Sequence, residues 1–305
     1  AMRGTTAAAQ VRDRTAVFMA DMPGRQRERE VELRVVYATM DEILRAALRD
    51  SGMAAPLVDL VSRQTEQRFK RTLSPLTPHT LPGYGASTQA ALIAHTHSFR
   101  GPTAVFESTC ASSMAAIGAG VAALQLGDVD MALTGGSFAD LSPELYTVNC
   151  TFKGMSATGS RPFDADASGF LPGEGAGVLV LKRLADAERD GDEILGIIAG
   201  VGASSDGKGK SLLAPNPVGQ ELAVRRALEN AGVDPATIQY IACHGTATPV
   251  GDYTEVSTYA QVLRGLAVHS VAMASVKSMI GHLHSAAGVV NVIAVLEGLQ
   301  HRVQP

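Results

Sequence analysis

From Thr103 onward, short apolar runs alternate with segments of helical length, and this alternation leaves the chain few ways to fold. TAVFES reads as a strand, Ser113 to Leu126 as a helix, and VDMALTGG and GVLVLKRL as further strands. ILGIIAGVGAS reads as another strand, and PVGQELAVRRALENAG as an amphipathic helix closed by Gly232. IQYIACHG, DYTEVSTYAQVLRG, VAMASVKS and Ser285 to Leu299 follow as strand, helix, strand and buried helix. The strands lack polar alternation, which predicts burial on both faces in an α/β layered fold. With 31 glycines among 305 residues, and stretches such as MAAIGAGVAAL and HSAAGVVNVIAVLEGL, the helices can pack unusually close. One loose echo appears: strand, reactive residue, small-residue helix occurs around Cys110 and again around His282.

The first hundred residues carry weaker signals. TAVFMAD reads as a strand, GRQRERE as a solvated helix entrance, and Val31 to Leu48 has helical spacing. Residues 71–87 hold three prolines and two glycines and read as a loop. The formal net charge of -4 and the absence of Trp give no reason to expect nucleic acid or an anionic membrane as partner. Three cysteines, with no CxxC and no Cys/His pairing of ligand type, are too few for a disulfide framework and predict no metal site. The start has no apolar leader core, and no run approaches the ~18 apolar residues of a membrane span. A cytoplasmic protein is the expectation.

Three side chains could do chemistry together. Cys110, in FESTCASSMAAIGAG, follows a strand and precedes a helix, whose N-terminus favours a thiolate and offers backbone N–H groups to an oxyanion. Taken alone, a free Cys is more often a small core residue. Ser112 and Ser113 could cap the helix in either case. His244 closes a strand in QYIACHGTATPVGD, before a turn rich in hydroxyls; it reads equally as a satisfied core histidine. His282 lies in SVKSMIGHLHSAAGVVN, with Lys277 five residues earlier at a strand end. A buried Lys needs a partner, for which Glu255 is the candidate. His284 and His301 read as ordinary surface residues. Cys with two histidines, each at a strand-to-helix junction, is how such a scaffold gathers one site. A cysteine hydrolase stays open, although it needs one base and an orienting group, whereas two histidines point to more than one carbonyl oxygen.

At these residues the chain resembles the β-ketoacyl synthases, condensing enzymes of the thiolase fold. GPTAVFESTCASSMAAIGAG, RPFDADASGFLPGEGAGVLVLKRL, CHGTATPVGD and SVKSMIGHLHSAAG carry the match, in order, from about Thr15 to the end. The resemblance implies a thiolase-like α-β-α-β-α layered fold of two pseudo-repeated halves: a single ketosynthase domain over 1–305, with the nucleophile in 1–190 and both histidines in 191–305. It makes Cys110 the acyl acceptor, His244 and His282 the groups that hold the extender's thioester carbonyl, and Lys277 with Glu255 a supporting ion pair. Thr246 and Thr248 would bind the pantetheine arm. The implied substrates ride on the phosphopantetheine of an acyl carrier protein, with no other cofactor and no metal. A homodimer and the other domains of a synthase are the implied partners, and GFLPGEGAGVLVLKRL is closer to polyketide or polyunsaturated-acid synthases than to stand-alone enzymes.

The chain departs from the family pattern at Ala242 (usually Glu), Ala247 (usually Gly), Met279 (usually Asn) and in STCASS. Met279 is expected to alter the pocket near His282 or Lys277. The family's first strand and its last strands are not in the sequence, so the fold is expected to be incomplete at both termini and to need the remainder, or a partner, for activity. Alternatives within the same fold are a non-condensing chain-length factor, which Cys110 argues against, and a thiolase or initiating synthase, which the paired histidines argue against.

Overall fold

The computed structural model describes residues 7–22, 26–211 and 213–304. The chain start read above as lacking a leader, and the Gly24–Arg25 helix entrance, fall partly or wholly outside them. The described chain begins with α1 (Ala7–Asp13), β1 (Thr15–Ala20), α2 (Gln26–Asp50), α3 (Ala55–Arg71) and α4 (Ser87–His97). Next come β2 (Thr103–Phe106), α5 (Ser112–Gln125), β3 (Met131–Phe138), α6 (Pro143–Thr151), β4 (Gly175–Leu181) and α7 (Leu184–Asp190). The remainder is α8 (Pro217–Ala231), β5 (Tyr240–Ala242), α9 (Pro249–Val262), β6 (Ala272–Ala274), α10 (Lys277–Ile280) and α11 (Ala287–His301).

Strand β1 explains the first sheet, whose order is β2-β1-β3-β4. All six of its residues are buried, and they divide by alternation. Ala16 and Phe18 join Ala116 and Leu124 of α5 on one face, while Val17 and Met19 join Ala90 and Ala94 of α4 on the other. The strand is parallel to β2 and β3, and β4 closes the sheet antiparallel to β3. The second sheet is the parallel pair β5-β6.

Between the two sheets lie α5 and α11, the helices that follow the two reactive-residue junctions; they pack on each other, α5 against β3 and α11 against β4 and β5. Small residues set their distance. A side chain at Gly120 of α5 would collide with Thr134 of β3, and one at Gly177 of β4 would sit 2.7 Å from Ile293 of α11. Ser113 of α5 accepts the N–H of Val289 in α11 at 3.0 Å, joining the two helices directly.

Three sequence expectations are corrected. ILGIIAGVGAS has no strand pairing. The Val201 N–H goes to the Asn230 side chain at 2.9 Å, and Gly196, Gly200 and Gly202 let the segment lie against α11 and α8. β4 is not covered on both faces: Val178 and Val180 are 45% and 64% exposed. The serines do not cap α5, because Ser113 serves α11 and Ser112 accepts the Ser108 N–H in the turn that carries Cys110. The Gly232 stop stands, in left-handed conformation at φ 64°.

Candidate active site

Cys110 sits in a 3-10 turn, Thr109–Ala111, between β2 and α5. The Ser112 hydroxyl closes that turn by donating to the Thr109 carbonyl at 2.6 Å, and Thr109 is forced to φ 47°. The turn aims the sulfur at the second junction, where Cys110 Sγ lies 3.0 Å from His282 Nε2. His282 is held from two sides. Its backbone bonds to the GFLPGEG segment, donating to the Leu171 carbonyl at 2.7 Å and accepting from the Gly173 N–H at 3.0 Å. Its Nδ1 accepts the backbone N–H of His284 at 3.2 Å. An accepting Nδ1 puts the proton of the neutral ring on Nε2, so His282 points an N–H at the sulfur and the space around it.

His244 completes the cluster, its ring 5.5 Å from that of His282 and nearly perpendicular to it. The backbone around it is fixed by Glu255 and Lys277, though not as the ion pair the resemblance implies. Glu255 accepts the N–H groups of His244 and Gly245 at 2.7 and 2.8 Å, while Lys277 Nζ donates to the His244 carbonyl at 2.5 Å. Each charge is therefore satisfied by backbone rather than by the other. Lys277 opens α10 and is buried, where the sequence placed it at a strand end.

Burial shapes the protonation states. It pushes the Cys110 thiol above the ordinary range, and the Lys277 ammonium opposes that rise. It pushes His282 well below the usual imidazole range, with His284, His244 and Lys277 acting the same way. His244 is also pushed down, first by crowding and then by Lys277. Its ring is exposed to a cleft, and water there opposes part of that effect. Lys277 itself is lowered by burial and raised by Cys110 and Glu255. At neutral pH the site therefore holds two neutral imidazoles and a thiol over a buried cation.

The cleft beside His244 has a volume of about 450 Å³, with Thr246, Thr248, Glu255 and Tyr259 in its walls. The Thr246 and Thr248 hydroxyls lie 3.0 Å apart. The cleft reaches His244, but its walls do not include Cys110 or His282. Met279 is 72% exposed and does not enter the site.

Sequence reading missed two side chains here. Phe170 sets its edge on the His282 ring at 5.0 Å, and His284, expected at the surface, is 6% exposed and stacks on His282. The glycines of GFLPGEG were the available signal for the first, since Gly173 abuts the Ile280 carbonyl so closely that no side chain fits. His301 is exposed as expected.

Cys110, His244 and His282 offer one ligand atom each, all within 4.8 Å of one another, a spacing that would admit a metal. The hydrogen bond behind His282 argues otherwise. A metal-binding imidazole normally donates its second N–H to an acceptor, whereas His282 Nδ1 receives one. The same bond separates the site from a cysteine hydrolase, in which an orienting group accepts a hydrogen bond from the imidazole N–H and leaves the facing nitrogen free to act as base.

Known proteins resemble the chain over most of its length. Residues 7–187 match the family "Beta-ketoacyl synthase, N-terminal domain", and residues 195–305 match "Beta-ketoacyl synthase, C-terminal domain". A polyunsaturated fatty acid synthase of Thraustochytrium is 36% identical over 92% of this chain and 10% of its own length. The 6-methylsalicylic acid synthase of Penicillium expansum is 42% identical over 67% of this chain and 12% of its own. The ketosynthase from module 6 of the Bacillus subtilis bacillaene synthase superposes with a TM-score of 0.75 at 30% identity, covering 97% of this chain and 45% of that one. The chain thus spans about a tenth of the curated relatives' length and under half of the solved domain. The chain belongs to the β-ketoacyl synthase family, with the mixed α/β thiolase-like fold of its ketosynthase domains.

Proposed function

We propose that this chain carries the reacting groups of a decarboxylative Claisen condensation in polyketide or fatty-acid assembly. The observation that carries the reading is the convergence of Cys110 with two neutral imidazoles, one of which can only donate toward the sulfur side. Cys110 attacks an acyl thioester delivered on a carrier protein's phosphopantetheine arm; the carrier thiol leaves and the acyl group stays on sulfur. Lys277, the positive charge acting on Cys110, favours the thiolate that attacks. A malonyl-type thioester then enters, its arm laid along Thr246 and Thr248. Its thioester carbonyl accepts hydrogen bonds from His244 and His282. Loss of carbon dioxide leaves an enolate whose oxygen those donors stabilise. The enolate carbon attacks the Cys110 thioester, giving the β-ketoacyl carrier product and returning the thiolate.

Glu255 and Lys277 act in this reading by fixing the His244 backbone. No metal and no cofactor beyond the carrier-borne arm takes part. A homodimer, the remaining domains of a synthase and a cytoplasmic setting belong to the same proposal; no described helix is long and apolar enough to cross a membrane.

The test uses acyl-carrier and malonyl-carrier substrates with the full chain, following acylation by intact mass and product by mass spectrometry. Cys110→Ala abolishes loading, and His282→Ala spares loading but blocks condensation. Loading that survives Cys110→Ala would overturn the assignment.

A further inference from the structure

His284 is buried against the site, and the mechanism above gives its side chain no task. Its ring lies flat on His282, centroids 4.5 Å apart and planes within 13°, while Phe170 sets an edge on the His282 ring at 5.0 Å. Phe138 covers His284 from behind at 4.5 Å, and Phe170 also touches it at 5.7 Å. Its backbone is held at φ 39°, a left-handed conformation that a residue with a Cβ adopts at a cost. The strained geometry is what brings its N–H onto His282 Nδ1. Its own Nε2 is buried and has no hydrogen-bond partner, a second local cost. Two local costs at a residue that touches no reacting atom point to a task performed through its neighbour.

We propose that His284 is a positioning residue: its ring and its backbone N–H together keep the His282 Nε2–H turned toward Cys110 and shield that ring from water. The proposal rests on the condensing role given to His282 above. The backbone N–H fixes the tautomer, and the flat ring blocks rotation of the imidazole and fills the space that water would need. The charged and titratable groups around the pair are few. Cys110, His244 and Lys277 face His282 from the nucleophile turn, the β5 loop and α10, and Asp140, after β3, acts on His284. Lys277 already disfavours a second cation beside it, and the dry face supplied by His284 acts in the same direction.

Removing the ring separates these effects from simple structure. In His284→Ala, water reaches His282, which takes a proton more readily than in the wild type although Lys277 and His244 still oppose it. A protonated His282 beside Cys110 favours the thiolate at lower pH, yet it presents a misplaced donor for condensation. The full chain is assayed three ways: acyl loading on Cys110, condensation with malonyl-carrier, and the rate of Cys110 alkylation by iodoacetamide at pH 6 and pH 8, read by peptide mass.

For His284→Ala the expected result is loading near wild type, condensation down about 10- to 100-fold, and a raised ratio of alkylation at pH 6 to that at pH 8. For His284→Phe, which keeps a flat ring that cannot titrate, condensation and the alkylation ratio return toward wild type. The proposal is overturned if both variants leave condensation and the ratio unchanged, or if Phe is as damaging as Ala. It is also overturned if loading and condensation fall together in His284→Ala with a lowered melting temperature, the pattern of a merely structural residue. Failure of the parent reading would look different, since acyl loading would then survive Cys110→Ala in an otherwise wild-type chain.

Discussion

Ala247 is buried at φ 57°, in the turn where the family usually has Gly, and its carbonyl accepts the Gly169 N–H at 2.7 Å. A left-handed residue with a Cβ costs about 1–2 kcal/mol, partly offset by the freedom that glycine adds to the unfolded chain. Ala247→Gly should therefore stabilise the fold by roughly 0.5–1 kcal/mol in denaturant unfolding. The buried histidines set a second expectation. His282 and His284 stay neutral in the native state, His284 down to about 4, while the unfolded chain takes up protons below about 6.5. Their stabilisation is complete above that value and is lost as pH falls through it, at up to about 1.4 kcal/mol per pH unit for each. Glu255, raised by burial, acts the other way toward the acid end, so the loss should set in near pH 6.5 and continue toward about pH 4. Urea midpoints across that range check it; a flat profile would refute it. At this scale the sequence was legible where chemistry sits at element junctions, as for Cys110, His244 and His282. It was not legible for His284, because nothing in GHLHSAAG distinguishes a ring that faces solvent from one that faces its neighbour two residues back. The Lys277 and Glu255 charges are close enough to feel each other, but the partners they take are backbone groups that residue identity does not reveal.

Among elements, α5 is the one whose composition translated most directly into position. Its small residues predicted close packing, and Gly120 meets Thr134 of β3 without room for a side chain. Gly120→Val should force the helix away from the sheet and destabilise by at least about 1–3 kcal/mol, measured as a lowered denaturation midpoint. Because Ser113 ties α5 to α11, acyl loading should fall in the same variant as the nucleophile turn shifts. The strand-like segment ILGIIAGVGAS shows the opposite limit. Its β-branched residues satisfy a local pattern, but a strand exists only through a neighbour's ladder, and here glycines place the segment against α8 and α11 instead. The short β5 and β6 were legible as strands, and the helices α3, α4 and α6 left no signal strong enough to read, their turns being partly buried and mixed in composition.

For the whole molecule, the uncovered face of β4 matters most. Val178 and Val180 stand exposed, as does Ile197 at 66%. Exposed apolar surface of this kind drives association. The described chain alone should bind 8-anilinonaphthalene sulfonate with strong fluorescence, and Val178→Lys with Val180→Lys should reduce that signal and the tendency to associate; an unchanged signal would place the apolar surface elsewhere. The division of labour around Glu255 bears on how long an intermediate would last in the proposed reaction. Both its oxygens are occupied by the His244 and Gly245 N–H groups, and the charge acting on Cys110 is the Lys277 cation rather than any carboxylate. Water entering beside an acylated Cys110 would therefore meet the His282 Nε2–H and the Lys277 cation, while the Glu255 carboxylate is already taken up by backbone. If Cys110 carries an acyl group as proposed, these surroundings would slow loss of the thioester to water, and an acyl group could wait on sulfur until the second substrate arrives.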